Sequence, residues 1–150
     1  MWGVIMKACA FFGHRGFPYE VYRNIIKDSI VDLIENYQVT QFYSGGRGDF
    51  DNLCASVVRE LEKEYPNIKN TLVLSYLPTG KDEYGLPPCY DDSVYFLEKR
   101  VPPRLAIIKT NEEMVNRSDF ILSGVLCGYG GAYRACDYAR KKKKTIISIL

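Results

Sequence analysis

Apolar and polar positions along this chain change period several times, and each change marks an element. An unbroken apolar run, Val4-Ile5-Met6 followed by Ala8-Cys9-Ala10-Phe11-Phe12, reads as a strand buried on both faces. It ends abruptly in Gly13-His14-Arg15-Gly16. After Pro18 the period lengthens: Tyr22, Ile26, Ile30, Leu33 and Tyr37 recur every three or four residues, one face of a helix ending near Asn36. Gln41-Phe42-Tyr43-Ser44 is a short strand that runs into Gly45-Gly46-Arg47-Gly48-Asp49. Phe50, Leu53, Cys54, Val57, Val58 and Leu61 then trace an amphipathic helix, closed before Pro66.

The second half continues the alternation. Thr71 to Tyr76 is another continuous apolar strand, and residues 77–104, rich in Pro, Gly, Asp and Tyr, read as a long functional loop. A helix is predicted around Asn111 to Arg117, then the strand Phe120 to Ser123, a glycine-rich turn from Gly124 to Gly131, the helix Ala132 to Arg140 and a closing strand Thr145 to Leu150. Strands alternating with helices predict right-handed crossovers and an α/β, Rossmann-like, doubly wound, mostly parallel sheet with helices on both faces. At 150 residues, one such domain is expected over 1–150.

Composition narrows the function classes. A hydrophobic fraction of 47% and a charged fraction of 25% are those of a soluble globular protein. No apolar run approaches the roughly 18 residues a membrane helix needs, and the N-terminus lacks a leader pattern, so a cytoplasmic protein with no membrane partner is expected. A net charge of +2 is small for a duplex-DNA binder, and nucleic acid is not the expected partner. The tract Lys141 to Lys144 reads as a solvated helix end favoured by the helix dipole. Five cysteines, scattered and without a C-x-x-C pair, argue against zinc or a disulfide scaffold, and no metal or cofactor is expected. Cys9 and Cys54 occupy apolar positions of the core, while Cys127 lies in a glycine-rich loop with no second histidine in the chain to activate it.

Candidate chemistry concentrates in three turns that each follow a strand and precede a helix. In a doubly wound sheet such turns open on one edge, where ligands bind near the reversal of strand order. Gly13, His14 and Arg15 form the first; Gly45, Gly46, Arg47 and Asp49 the second; Gly128, Tyr129, Gly130, Gly131 and Ala132 the third. Glycine lets backbone N–H groups approach a ligand, helix N-termini favour anions, and Arg15 and Arg47 add fork-shaped donors suited to phosphate. His14 suits a ligand contact or a local turn hydrogen bond. Asp49 and Asp51 are expected to cap the helix that starts near Phe50, with a ribose hydroxyl as the alternative partner of Asp49. Among the 12 tyrosines, Tyr43 and Tyr129 flank the turns and are the candidates to stack on a base. Arg104, after Pro102-Pro103, reads as a surface arginine. Neither the dinucleotide fingerprint nor the P-loop pattern is present.

In chain order, "CAFFGHR", "FYSGGRGDFDNL", "PPRLAI", "NRSDFILSG" and "GYGGAYRACDYARKKKKTII" resemble the SLOG superfamily (Smf/DprA-LOG), close to its small bacterial and phage YpsA-like members. The resemblance covers nearly the whole chain. It implies a Rossmann-like fold whose glycine-rich turns hold nucleotides or nucleotide-derived ligands. Through the family's Pro-Arg motif it also implies the alternative role for Arg104, closing the site from the long loop. Some members, the Lonely Guy phosphoribohydrolases, cleave a base from its ribose phosphate; others are sensor domains of antiviral systems that bind signals derived from NAD or ADP-ribose. The Lonely Guy signature is Pro-Gly-Gly-x-Gly-Thr-x-x-Glu. Aligned on Gly130-Gly131, this chain has Ala132-Tyr133-Arg134-Ala135 in place of the threonine and the acid, and its nearest carboxylate is Asp137.

The resemblance therefore implies a binder of a nucleotide-derived small molecule (ADP-ribose, a cyclic ADP-ribose, an NAD-like molecule or a nucleoside phosphate) acting as sensor, carrier or sponge. The alternative is a nucleoside-monophosphate phosphoribohydrolase in which Asp137 or Asp49 replaces the glutamate. A third reading is a single-stranded-DNA or protein interaction module like the DprA relatives. Relatives of this kind pair through helices flanking the site, so a homodimer or tetramer is expected.

Overall fold

The computed structural model describes residues 6–77, 86–98 and 101–150. The chain runs β1 (Lys7–Gly13), a 3-10 turn (Tyr19–Tyr22), α1 (Arg23–Tyr37), β2 (Val39–Ser44), α2 (Asp49–Leu61), β3 (Lys69–Leu74), β4 (Asp92–Tyr95), α3 (Pro103–Asn116), β5 (Phe120–Gly124), α4 (Gly131–Lys141) and β6 (Thr145–Ser148). The strands form one sheet in the order β4-β3-β2-β1-β5-β6, and every pairing is parallel. From β1 the chain lays β2, β3 and β4 outward on one side. It then returns across the sheet to place β5 on the other side of β1. Strand order reverses between β1 and β5, and Gly13 at the end of β1 pairs with Gly124 at the end of β5.

This placement explains the apolar run that opens the sequence. β1 is covered on both faces, and Ala8 through Phe12 are all buried. Alternate residues feed two cores. Cys9 and Phe11 join Phe42, Leu122 and the inner faces of α1 and α2, among them Ile26, Ile30, Leu33, Phe50, Val57 and Leu61. Ala10 and Phe12 join Val73 and Ile121 against α3 and α4, through Met114, Val115, Ala135, Cys136 and Ala139. The layers are α1/α2, sheet, α3/α4: the doubly wound arrangement that the alternating pattern predicts.

Several boundaries differ from the sequence expectations. Val4 and Ile5 of the predicted first strand lie outside the described residues. β3 spans Lys69–Leu74 rather than Thr71–Tyr76. The polar Asn70 disguises its start, yet it is fully buried and satisfied, because its side-chain amide donates to the Ala55 and Cys89 carbonyls at 3.0 and 2.7 Å. The stretch read as a loop contains β4, a short edge strand whose Asp92 and Ser93 are exposed; residues 78–85 and 99–100 of it lie outside the described residues. α3 begins at Pro103, well before Asn111, with proline in the first turn, where its missing N–H costs nothing. The final strand stops at Ser148. Among the described residues no helix separates β3 from β4, and none is long and apolar enough to cross a membrane.

Candidate functional site

At the carboxyl edge of the sheet, where strand order reverses, a cleft of about 280 Å3 opens between the three turns. Phe12, Gly13, His14 and Arg15 come from the end of β1, and Gly45, Arg47, Gly48 and Asp51 from the second turn and the start of α2. Gly131 and Ala132 come from the start of α4, and Ile107 and Asn111 from one face of α3. Of the residues singled out in the sequence, Gly13, His14, Arg15, Gly45, Arg47, Gly131 and Ala132 are thus gathered on one cleft.

The strand ends approach so closely that only glycine fits. A Cβ at Gly13 would fall 2.3 Å from the Phe50 ring, and one at Gly124 would fall 2.7 Å from Tyr19 and 2.8 Å from Phe50. Tyr19, 1% exposed, ties the two strand ends together. Its hydroxyl donates to the Gly124 carbonyl and accepts from the His14 backbone N–H at 2.9 Å. In the sequence Tyr19 is marked only as an aromatic residue just after Pro18. In the second turn Gly46 takes a left-handed conformation (φ +65°) over Leu72, whose Cδ1 would lie 2.6 Å from an added Cβ.

The cleft is electropositive. Arg15 is exposed, and its aliphatic stem lies against Gly48, where a Cβ would meet Arg15 Cγ at 3.0 Å. Arg47 is half-buried, and its guanidinium stands 5.6 Å over the Tyr76 ring. Desolvation lowers its pKa from the usual arginine value. Among the described residues, every ion pair joins other groups, so neither guanidinium is held by a carboxylate. The N-termini of α2 and α4 also face this space through Gly48 and Gly131, adding the positive ends of two helix dipoles.

Asp51 is the one carboxylate of the cleft wall among the described residues. Burial pushes its pKa up to about 7, against the opposing pull of the Arg47 backbone N–H, which it accepts at 3.4 Å, and of the Arg15 and Arg47 charges. The expectation that Asp49 and Asp51 cap α2 is corrected here: the capping residue is Gly48, and no side chain makes the cap hydrogen bond. At the first position of the helix, Asp49 points to the first turn instead and accepts from the Gly16 N–H at 2.6 Å. Asp51, two residues on, turns back over the second turn, and helical phase alone separates the two roles.

Other expected contacts lie elsewhere. The Tyr43 ring packs edge-on against Phe96 in the α3/α4 core, 5.4 Å between centroids, because its strand position faces that layer. Gly46 adjoins the cleft behind Leu72 without lining it, and Gly128, Tyr129 and Gly130 are exposed on the outer side of the third turn. Arg104 is exposed in the first turn of α3. Asp137 faces away along α4 and pairs with Lys141 at 3.1 Å. Cys127, set aside for want of a second histidine, is reached by the first: its sulfur lies 3.5 Å from His14 Nε2.

No family model and no curated protein matches the sequence. Solved structures do. DNA processing protein A (DprA) from Streptococcus pneumoniae superposes with a TM-score of 0.67 at 12% identity, over 95% of this chain and 50% of that one. TM1055 gives 0.61 at 18% identity, over 94% and 72%. The molybdenum cofactor carrier protein of Chlamydomonas reinhardtii gives 0.61 at 13% identity, over 95% and 76%. The chain therefore spans about half the length of the pneumococcal protein. At 12–18% identity these likenesses are ones of fold: each neighbour shares the parallel α/β sheet described above.

Proposed function

We propose that the cleft binds a phosphate-bearing, nucleotide-derived small molecule, and that the protein acts as its sensor, carrier or sponge. The observation that carries this reading is a pair of arginines that form no ion pair among the described residues, set beside two helix N-termini at the switch point of the sheet. A cleft of about 280 Å3 is at the small end of ligand sites, so it suits a nucleoside phosphate, or one half of ADP-ribose, better than a fully enclosed dinucleotide. The carrier role has a parallel in a structural neighbour named as a molybdenum cofactor carrier. A calorimetric screen of AMP, ADP-ribose, cyclic ADP-ribose and NAD tests the reading; absence of heat from all of them, with the protein folded, defeats it.

Asp51 supports a second reading. A carboxyl group with a pKa of about 7 in a phosphate-suited cleft is matched to general acid–base work near neutral pH. In a phosphoribohydrolase it, rather than Asp137 or Asp49, would stand in for the missing glutamate. Incubation with AMP and assay of free adenine decides this, and base release that persists in Asp51→Asn would remove Asp51 from the role.

A further inference from the structure

The cleft wall carries a second piece of chemistry. His14, the chain's only histidine, lines the cleft and also contacts Cys127 in the loop after β5. The Cys127 backbone N–H donates to His14 Nε2 at 3.3 Å, which makes that nitrogen an acceptor and leaves the neutral ring's proton on Nδ1. The Cys127 sulfur lies 3.5 Å from the same Nε2 and 3.7 Å from the Tyr129 carbonyl. The single lone pair of Nε2 thus faces both the Cys127 N–H and the thiol, and proton transfer from sulfur takes the place of the N–H contact. The imidazole is held from behind, because Tyr19 fixes the His14 backbone.

The other thiols have no such setting. Cys9, Cys54 and Cys136 are buried in the two cores, and desolvation pushes Cys9 up to about 12 and raises Cys54 and Cys136. Cys89 is half-buried, and burial raises it too. Cys127 is half-buried at a turn whose neighbours Gly128 and Tyr129 are exposed, so a small molecule can reach it.

We infer that His14 and Cys127 form a nucleophilic pair, its imidazole on the cleft wall and its thiol on the adjoining turn, which attacks an electrophilic carbon of a small molecule bound beside it. The thiol proton passes to Nε2, giving an imidazolium and a thiolate. The thiolate electron pair then forms the sulfur–carbon bond, and the leaving group departs with the pair of the bond it breaks. This chemistry does not depend on which nucleotide the cleft accepts, so it stands or falls separately from the ligand reading.

Iodoacetamide supplies the test: its methylene carbon is attacked and iodide leaves. The full-length folded chain is alkylated at neutral pH, and the rate at each cysteine is followed by peptide mass mapping. The pair predicts that Cys127 reacts roughly tenfold or more faster than Cys89, and that His14→Ala slows Cys127 by a similar factor while Cys89 is unchanged. His14→Gln separates proton transfer from positioning, since its amide oxygen can accept from the Cys127 N–H but cannot take the thiol proton. It should be as slow as His14→Ala. Equal rates at Cys127 and Cys89, or a fast Cys127 in either His14 variant, would overturn the inference.

Discussion

The Phe50 ring of α2 packs onto the bare Cα of Gly13, so closely that a methyl group there would fall 2.3 Å from the ring's Cγ. The contact fixes the end of β1 against the start of α2 and thereby sets two walls of the cleft. Gly13→Ala overpacks this junction and should cost about 1–3 kcal/mol in denaturant unfolding. Phe50→Leu, with its slimmer side chain, should restore part of that loss in the double variant. Strict additivity of the two changes would show that the contact is not the cause.

Arg15 separates binding from folding. Its stem rests on Gly48 and its head is exposed, with no carboxylate to anchor it among the described residues. With a phosphate held at the proposed site, Arg15→Ala removes a charge-assisted hydrogen bond worth about 1.5–3 kcal/mol, and affinity for AMP or ADP-ribose should fall roughly ten- to a hundredfold. Unfolding free energy should stay within about 0.5 kcal/mol. A large loss of stability with unchanged affinity would reverse the assignment.

Asp51 gives the stability a pH signature. Its carboxyl is raised from 3.8 to about 7 by burial, so the folded state holds a proton that the unfolded state releases across that interval. Stability from this group is therefore greatest at low pH and declines as pH rises from about 4 to about 7. Asp51→Asn has no proton to lose and should flatten this part of the profile. At pH 8 its Tm should exceed wild type by roughly ten degrees in a domain of this length, since a rise from 3.8 to about 7 is on the order of 4 kcal/mol; at pH 4 the two should coincide. Parallel profiles would contradict the buried carboxyl.

The same group links binding to protons. An anion placed beside Asp51 disfavours its ionised form, so binding near pH 7 should take up a proton and weaken severalfold between pH 6 and pH 8. Titration in buffers of different ionisation enthalpy measures the uptake. No buffer dependence would place the ligand's charge away from Asp51.

Much of the fold was legible because burial on both faces leaves an unmistakable pattern. β1 and β5 read as continuous apolar runs, and α2 as a clean stripe from Phe50 to Leu61. The turns were legible for the same reason, as glycine and arginine interrupting such runs. What escaped depended on contacts between distant residues. Asn70 is polar yet buried, satisfied by carbonyls from Ala55 and Cys89 that no local pattern announces. Ile107 and Asn111 line the cleft only because α3 starts at Pro103, which the late placement of that helix concealed. Tyr43 was assigned to the ligand from its proximity to a turn, whereas strand alternation directs it to the Phe96 layer. The His14–Cys127 contact joins positions 113 residues apart, beyond the reach of any spacing rule.

Assembly offers an independent check. Val21 and Ile25, four positions apart, expose 77% and 49% of their surface beside the α1 face. A homodimer that covers them should give twice the chain's 17.2 kDa mass by light scattering at tens of micromolar, and Val21→Glu should return it to monomer. A monomer mass for the unaltered protein would count against the pairing.

The central claim is that Arg15 and Arg47 form a phosphate site at the switch point between β1 and β5. Its most direct measurement is titration of AMP and ADP-ribose into the protein and into the Arg15→Ala/Arg47→Ala double variant by calorimetry at low and moderate salt. The account predicts saturable binding of at least one of the two by the wild-type protein, and a loss of about a hundredfold or more in the folded double variant, since two charge-assisted contacts are removed. Equal affinity in both proteins would contradict it.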